Sequence, residues 1–401
     1  MPSKNLDPLT SKLKPIVSAV RNSLGVAMLA APLLVFPDIV GAAIVPATDE
    51  QVVNSETSSN QGYPSMAVDA DGDFVVVWES YGQDGDNYGI YGQRYNAAGE
   101  TLGGEFPVNT YTTHRQYDPS VAMDADGDFV VVWTSDGKGN GEPDEGQDGD
   151  FSGIYGQRYN AAGETLGDEF LINTYTTGRQ NSPSVAMDAD GDFMVVWQGF
   201  GQDGDYSDIY GQRYNAVGVP QGSEFPVNSF TADYQQDPSV AMDADGDFVV
   251  VWHSSGQDGN NRGVYGQRYN AAGETLDGEF PVNIFTTGFQ GSPSVAMDAD
   301  GDFVVGWTSF GQDEDVSDSG VFARTYRANG TPDQSAEFNV SQETEGDQMD
   351  SAVAMDDNGD IAIAWSSGRA DPTPVGRSDS DVILRTFSED VIFNDSFEDG
   401  I

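Results

Sequence analysis

The hydrophobic pattern of this chain repeats as one unit along most of its length. The unit PSVAMDADGDFVVVW alternates apolar and small residues, turns, and then becomes continuously apolar. Its copies occupy 64–78, 119–133, 183–197, 238–252, 293–307 and, with more changes, 351–365. Each copy ends in a tryptophan, and successive tryptophans are 55, 64, 55, 55 and 58 residues apart. This period suits four short strands with their turns, and no helical period is present.

Four segments of each repeat have the composition of β-strands. PSVAMD forms the first, and the apolar run DFVVVW is typical of a strand buried on both faces. IYGQRYN predicts a third strand, and EFPVN predicts a short fourth strand whose proline suits a sheet edge. The connections DADG and NAAG begin with Asx and end with glycine, which favours tight hairpin turns.

The two ends of the repeat array complement each other. EQVVNSETSSNQGYPS at 50–65 aligns without a gap with EFPVNTYTTHRQYDPS at 105–120, which is a fourth strand and its following loop. The sixth copy supplies three strands, ending with VILRTFS at 382–388, and lacks a fourth. We therefore predict an all-β fold, a six-bladed β-propeller of four-stranded blades. Its ring would be closed by the N-terminal strand, around Glu50 to Asn54, completing the last blade.

The termini are unlike the repeats. A basic start, an apolar run of 13 residues at 24–36 and the small residues at 41–43 have the order of a secretory signal. The run is short for a membrane span, and the alternative, an uncleaved anchor through 39–45, is disfavoured by Asp38. The predicted organisation is a signal peptide at 1–43, the propeller at 44–388 and a C-terminal tail at 389–401. A secreted or cell-surface location follows.

The motifs PSVAMDADGDFVVVW, GIYGQRYNAAGE and EFPVN together resemble propeller-like repeats of uncharacterised bacterial secreted or surface proteins, over about residues 50–388. The resemblance implies the fold and the extracellular location, and it implies little about activity. Sialidases are also six-bladed propellers. However, the glycine of DADGDFVVVW lies six residues before the tryptophan, which does not match the repeated sialidase Asp-box, so that likeness is one of fold only.

Charge and cysteine content narrow the partners. With 66 acidic and 17 basic residues, the formal net charge is −49, which repels nucleic acid and anionic membranes and attracts divalent cations. The absence of cysteine excludes disulfides and thiolate chemistry. The predicted partner is a glycan or an extracellular protein, with no nucleic acid and no membrane span after signal cleavage, and we expect a monomer.

Calcium is the candidate cofactor. The DADGD turns place carboxylates at positions i, i+2 and i+4, the spacing with which calcium loops begin. Glycine at position 4 and Ser135 at position 12 from Asp124 exclude an EF-hand, so a metal-free hairpin turn and a calcium site both remain open. The candidate ligands are Asp69, Asp71, Asp73, Asp124, Asp126, Asp128, Asp188, Asp190, Asp192, Asp243, Asp245, Asp247, Asp298, Asp300 and Asp302.

Two groups of residues are candidates for ligand binding. One glutamine per repeat enters the innermost strand and is predicted at the mouth of the channel, or bonded to the backbone of a neighbouring blade. These glutamines are Gln61, Gln116, Gln180, Gln235, Gln290 and Gln348. The second group breaks the repeat in the loops between blades and comprises Arg115, Tyr117, Arg179 and Tyr234. These loops should open on the same face as the loops between second and third strands, because the strands alternate in direction.

The sequence favours binding over catalysis. It contains no nucleophile elbow, zinc-protease helix, phosphate loop or dinucleotide motif. Its two histidines, His114 and His253, are predicted in loops. We predict a secreted or cell-surface adhesion or binding module that holds a glycan or a protein through one face. A glycan-acting hydrolase or lyase at the channel mouth is the alternative, although an active site should erode the similarity of the blades. A purely structural envelope module is the third interpretation.

Overall fold

The computed structural model describes residues 51–137, 146–204, 206–312, 319–341, 346–368 and 380–388. These residues form antiparallel sheets in six blades of a β-propeller, as the sequence predicts. The predicted signal peptide and the predicted tail lie outside the described residues. The described part of the chain contains no helix with the length and hydropathy to span a membrane.

Within each blade the strands follow one another in chain order across the sheet. The first three blades comprise β1 (Gln61–Val68), β2 (Phe74–Tyr81), β3 (Tyr88–Tyr95), β4 (Thr101–Pro107), β5 (Gln116–Met123), β6 (Phe129–Asp136), β7 (Ser152–Tyr159), β8 (Phe170–Leu171), β9 (Gln180–Met187), β10 (Phe193–Phe200), β11 (Ser207–Tyr214) and β12 (Pro220–Pro226). The last three comprise β13 (Gln235–Met242), β14 (Phe248–Ser255), β15 (Arg262–Tyr269), β16 (Thr275–Pro281), β17 (Gln290–Met297), β18 (Phe303–Phe310), β19 (Ser319–Tyr326), β20 (Phe338–Asn339), β21 (Gln348–Met355), β22 (Ile361–Gly368) and β23 (Ser380–Phe387).

The core lies between blades, because the second strand of each blade is apolar on both of its faces. Five hydrophobic clusters join consecutive blades. Between the first two blades, Val77 and Val108 pack against Val131 and Trp133. Trp133 is fully buried, as are its equivalents in the next three blades. From the second blade to the sixth, the repeated tryptophan therefore joins each blade to the one before it.

The seam between the sixth and first blades differs from the other five. Among the described residues the sixth sheet has three strands, and no hydrophobic cluster joins this sheet to the first blade. Its outer strand β23 leaves Val382, Ile383 and Leu384 exposed by 41%, 38% and 59%. Residues 51–54, which precede the first blade, have no strand pairing in the structure, and Glu50 lies outside it. Closure of the ring by the N-terminal strand therefore stays a prediction.

The innermost strand of every blade contains a bulge beside the central channel. In β5 the pairing with β6 shifts register between Tyr117 and Ser120, and the first strands of the other blades shift at the equivalent place. One non-glycine residue at each bulge adopts a left-handed conformation with φ between 49° and 54°. In five copies a proline follows it and removes a ladder donor, which favours a bulge.

Candidate functional site

The six bulge residues surround one cavity at the propeller axis. The cavity has a volume of about 270 Å³ and takes one bulge residue from each blade. In chain order, which is also the order around the ring, these residues are Tyr63, Asp118, Ser182, Asp237, Ser292 and Asp350. Carboxylates therefore alternate with neutral side chains around the axis. We call these six residues the channel ring.

The channel ring has a strained backbone. Left-handed φ values are uncommon outside glycine, although Asp and Asn tolerate them better than bulky residues do. Tyr63, with φ of 51°, is the bulkiest member, and its side chain is 40% exposed at the cavity. Such strain often accompanies sites where side chains are held for a ligand.

The residue after each tryptophan is buried in the second strand of its blade, and its identity varies among the blades. These buried residues are Glu79, Thr134, Gln198, His253, Thr308 and Ser366. The Asp118 N–H donates to Glu79 Oε1 at 2.9 Å, and the Asp350 N–H donates to Thr308 Oγ1 at 3.1 Å. At these two places a side chain of one blade supports the ring backbone of the next blade.

Glu79 is a carboxyl group that is fully removed from solvent. Burial raises its pKa to about 7, against the opposing effects of the Asp118 N–H and the Arg115 guanidinium. Arg115 Nη2 lies 3.3 Å from Glu79 Oε2. Glu79 therefore exchanges a proton near neutral pH, at a position directly below Asp118.

His253 occupies the equivalent position in the fourth blade. It lies inside β14 and is 1% exposed, so its predicted place in a loop is wrong, whereas His114 does lie in a loop. Burial lowers its pKa to about 4, and Arg262 lowers it further while Asp237 opposes the shift. Arg262 Nη1 lies 3.1 Å from His253 Nε2, and an arginine can only donate. This contact favours the tautomer with the ring proton on Nδ1, which lies 3.4 Å from Asp237 Oδ2.

The predicted loop residues lie on the face where the innermost strands begin. Arg115 lies over the rings of Tyr88 and Tyr117, at 5.0 and 4.1 Å from their centroids. Burial raises the pKa of the Tyr117 hydroxyl. Arg179 is exposed and lies 5.7 Å from the centroid of the Phe151 ring. These predicted residues thus form cation–aromatic contacts at the rim of the channel.

The fourth predicted loop residue, Tyr234, is 39% exposed, and its ring centroid lies 4.5 Å from that of Tyr206. Between the fifth and sixth blades a second cavity of about 320 Å³ adjoins the channel. It is lined by Phe289, Ser292, Thr308, Phe310, Met349 and Asp350. Because Ser292 and Asp350 also line the axial cavity, the two spaces share a wall.

The repeated glutamines do not line the axial cavity, so of their two predicted places the channel mouth is wrong, and a bond to backbone is found instead, in the loops between blades. Gln116, Gln180, Gln235, Gln290 and Gln348 are fully buried, and Gln61 is half-buried. Gln116 Nε2 donates to Thr113 O in the loop that precedes it, and Gln116 Oε1 accepts from Asn109. The bulge places the channel ring two residues further along the strand. The glutamines therefore stabilise the loops between blades.

The aspartates of the DADGD turns have separate hydrogen-bonding roles. In the first blade Asp69 Oδ1 accepts from the N–H groups of Asp71 and Asp73, both at 2.9 Å. Asp73 Oδ1 accepts from the Ala97 N–H in the adjacent hairpin turn. Burial raises the pKa of Asp69, and in the fifth blade it raises that of Asp298 to about 6. In the described chain no group of three acidic or histidine side chains is arranged to hold a metal ion.

Comparison with known proteins identifies structures of similar fold. No protein-family model and no curated protein matches this chain. Among solved structures, it is similar to a protein of unknown function from Dyadobacter fermentans, at 13% identity over 84% of this chain and 97% of that one, with a TM-score of 0.55. It is also similar to a leech intramolecular trans-sialidase complexed with 2,7-anhydro-Neu5Ac, at 9% identity over 88% and 72% of the two chains, with a TM-score of 0.56.

A third similar structure is an ulvan lyase, described as a member of a new polysaccharide lyase family. Its identity is 12% over 81% of this chain and 80% of that one, with a TM-score of 0.50. At these identities the likenesses show the propeller fold alone.

The sequence contained a signal for the site residues that were missed. The residue directly before each copy of the repeat varies although the repeat itself is nearly constant. In chain order these residues are Tyr63, Asp118, Ser182, Asp237, Ser292 and Asp350. The letter after tryptophan reads Glu, Thr, Gln, His, Thr and Ser. Both positions vary inside strands, where residues facing a conserved core would be expected to stay constant. Variation at these positions indicates side chains that lie at or near the channel and are not part of the hydrophobic packing between blades.

Proposed function

We propose that this propeller is an extracellular binding module that holds a glycan at the mouth of its channel. The observation that carries the proposal is the axial cavity, to which each blade contributes one bulge residue, either Asp, Ser or Tyr, on one shared backbone conformation. Carboxylates and hydroxyls of the channel ring can accept and donate hydrogen bonds to sugar hydroxyls. Aromatic side chains at the same face, such as Tyr234 and Phe289, can pack against the apolar face of a sugar ring.

The glycan-related activities of similar structures support this choice of ligand class. One of those structures is a trans-sialidase complexed with a sialic acid derivative, and another is a lyase of the polysaccharide ulvan. The likeness is one of fold, so the proposal depends on the cavity of this chain. Concave sites with a few convergent polar groups and apolar walls are the usual form of small-ligand sites.

The raised pKa of Glu79 is the observation that favours a second candidate function, that of a glycan-acting enzyme. A carboxyl group with a pKa of about 7 is suited to general acid–base catalysis at neutral pH, and Tyr63 and Asp118 lie near it. However, Glu79 is fully buried, and its oxygens accept from Asp118 and Arg115. A general acid must reach the substrate, so this arrangement favours binding over hydrolysis or elimination.

Loss of an aromatic side chain at the rim should weaken glycan binding without unfolding the protein. We expect Tyr234→Ala to lower the affinity for a bound oligosaccharide about five- to tenfold, the equivalent of about 1 kcal/mol. Val217→Ala is the control, because Val217 is exposed in a turn on the opposite face. The measurement is a screen of neutral, amino and acidic oligosaccharides, followed by calorimetric titration. Absence of binding to every class would refute the proposal, and release of new reducing or unsaturated ends would favour the enzyme.

Calcium at the DADGD turns is retained as part of the proposal. An ion that binds only the folded state raises stability with its concentration, so the midpoint of thermal unfolding should rise with calcium and fall again with a chelator. A chain with net charge −49 is also stabilised by simple screening, so magnesium and sodium chloride at matched ionic strength are the controls. An equal rise with all three salts would show that the turns bind no calcium.

A further inference from the structure

We propose that the glycan held at the channel mouth is a neutral, linear polysaccharide that extends along the rim of the propeller and contacts several blades at once. This inference rests on the proposed glycan-binding function and names the class of its ligand. It is carried by pairs of flat side chains at four consecutive seams between blades and by the cavity that follows the last pair.

One pair of flat side chains lies at each of these four seams. Its first member begins the third strand of a blade or directly precedes it, and its second member directly precedes the first strand of the next blade. Each pair combines an aromatic ring with an arginine or with a second ring, and we call these pairs the rim platforms. In chain order they are Tyr88 with Arg115, Phe151 with Arg179, Tyr206 with Tyr234, and Arg262 with Phe289.

The two members of each rim platform lie within stacking distance. The guanidinium carbon lies 5.0, 5.7 and 5.3 Å from the ring centroid in the first, second and fourth platforms. The two ring centroids of the third platform lie 4.5 Å apart. Parallel backbone bridges join the segments at two of these seams, between Ser152 and Arg179 and between Arg262 and Phe289. The platforms are therefore held by the backbone of two neighbouring blades.

The blade fold does not itself require a stacked pair at this position. At the seam between the fifth and sixth blades, the equivalent places hold Ser319 and Asp347, and Ser319 Oγ donates to Asp347 Oδ1 at 3.1 Å. A hydrogen-bonded pair can thus replace a stacked one, so packing between blades does not explain the rings. The rings of Tyr206 and Tyr234 are exposed by 47% and 39%, which leaves them accessible to a ligand.

A linear polysaccharide fits a row of such platforms. A sugar ring has an apolar C–H face, which can pack on an aromatic ring or on the plane of a guanidinium. Adjacent platforms are separated by the width of one blade, so a monosaccharide contacts one platform, whereas a linear polymer can contact several. Linking weak contacts in one ligand raises the overall affinity without any new kind of contact.

The second cavity follows the fourth platform around the rim. Phe289 belongs to both, and Phe310 and Met349 add apolar walls. The cavity volume of about 320 Å³ lies within the range of small-ligand sites, roughly 300 to 1,000 Å³. One sugar unit of the polymer could therefore be enclosed here while the units beside it lie on the open platforms.

The charges of the rim favour a neutral polymer. A polyanion would be repelled by the net charge of −49, and a polycation would meet a guanidinium at three of the four platforms. Two of these guanidiniums already have polar partners, since Arg115 pairs with Glu79 and Arg262 Nη1 lies 3.1 Å from His253 Nε2. They are therefore available as flat surfaces more than as charges.

The test is a length series of linear oligomers of glucose, mannose, galactose and N-acetylglucosamine, from about two to about eight units, in calorimetric titration. We expect the longest oligomer of the preferred sugar to bind at least about tenfold more tightly than the shortest, the equivalent of about 1.4 kcal/mol. Added sodium chloride should leave this affinity unchanged, because stacking of a neutral ligand is not screened by salt.

Variants of two distant platforms locate the effect. Tyr88→Ser introduces the residue that Ser152 and Ser207 supply at the equivalent place, and Tyr206→Asn introduces the one that Asn87 supplies. Each should lower the affinity for the longest oligomer about threefold to tenfold, and the two losses should multiply in the double variant. For the shortest oligomer each loss should stay below about twofold, because the other platforms remain. Val217→Ala, on the opposite face, is again the control.

The outcomes separate this inference from the function on which it rests. If affinity does not rise with length, or if only one of the two variants weakens the longest oligomer, the protein binds glycans at one place and the inference is overturned. It is also overturned if acidic or amino oligomers bind more tightly than neutral ones, or if the control variant weakens binding as much as the platform variants do. If no oligosaccharide of any class binds, both the inference and the proposed function fail.

Discussion

Placing a charge at position 53 should destabilise the whole propeller. Val53 aligns with Val108, which is 2% exposed between the first and second blades, and with the buried Val282 and Val340 of later blades. If the N-terminal strand completes the sixth blade, Val53→Asp buries an unpaired carboxylate in the last seam. We expect a loss of about 3 to 5 kcal/mol in the free energy of unfolding. Val52→Asp is the matched control, because Val52 is 78% exposed.

The hydrogen bonds that follow this segment already match those of the complete blades. Asn54 Nδ2 donates to Glu56 O and Gln61 Oε1, as Asn109 Nδ2 donates to Tyr111 O and Gln116 Oε1. The Ser55 N–H donates to a glutamate of the first blade, Glu105, at 2.7 Å, as the Thr110 N–H donates to Glu169 in the second blade. The chain therefore leaves position 54 in the same direction in which a completed fourth strand would leave it.

The register of the closing strand follows from the first blade. There Tyr91 pairs with Pro107 and Gly92 pairs with Phe106, so the equivalent pairs are Ile383 with Val52 and Leu384 with Gln51. Paired Cα atoms in an antiparallel sheet lie within the span of a disulfide. The chain has no cysteine, so the double variant Val52→Cys, Ile383→Cys reports this one pair.

Chemical denaturation of the two aspartate variants decides the closure. Equal stability of Val53→Asp and Val52→Asp would show that the segment does not enter the sixth blade, and the ring would then be open at this seam. Formation of the disulfide under mild oxidation, together with a higher denaturation midpoint in the oxidised state, would confirm the register. Failure of both tests would leave the edge of β23, with its exposed Val382 and Leu384, as an unpaired strand.

The propeller fold could be predicted because the same hydrophobic pattern of strands and turns occurs in every repeat. The run FVVVW is apolar at every position, and the structure buries it between blades on both faces, as for Val131 on one face and Val132 on the other. The alternating direction of strands also predicts that Arg115, Tyr117, Arg179 and Tyr234 share one face. A pattern that is repeated in sequence is thus sufficient to predict an architecture that is repeated in space.

The channel ring could not be predicted from the same reasoning, because a bulge changes which side chain faces the axis. Strict alternation along β5 does not take account of the register shift at Asp118. Gln116, which the repeat pattern predicts at the channel mouth, is therefore buried, and Asp118 two residues later lines the cavity instead. The DADGD turns contain Asx hydrogen bonds, such as those from the Asp126 and Asp128 N–H groups to Asp124 Oδ1, and calcium at these turns stays a prediction.

Replacement of Glu79 by glutamine should remove a large pH dependence of stability. The folded-state pKa of Glu79, about 7, lies above its unfolded value near 4.5, because burial disfavours the charged form. The folded protein therefore holds a proton that the unfolded chain releases. The resulting stabilisation is fully present below about pH 4.5 and is lost as the pH rises through 7. Between about pH 5 and pH 8 this single group should lower the free energy of unfolding by about 2 to 3 kcal/mol.

His253 acts in the opposite direction over an overlapping range. Its folded-state pKa of about 4 lies below the unfolded value of 6.5, so its contribution is present above pH 6.5 and is lost as the pH falls toward 4. Between about pH 4.5 and 6.5 the slopes from Glu79 and His253 therefore oppose each other. In the native protein the two slopes of stability against pH partly cancel. A variant that removes one group should therefore show the slope that the other group produces.

Glutamine is a suitable replacement at both positions, because Gln198 occupies the equivalent buried place in the third blade. Urea denaturation at a series of pH values should show that Glu79→Gln becomes more stable than the native protein above pH 7 and steeper in its loss of stability below pH 6.5. His253→Gln should lose less stability than the native protein as the pH falls from 6.5 toward 4. Glu274→Gln is the control, because Glu274 is exposed, and its stability should follow the native curve. If Glu79→Gln follows the native curve throughout, Glu79 is already ionised at pH 5. The proton below Asp118 would then be absent, and with it the chemical basis of the enzymatic alternative.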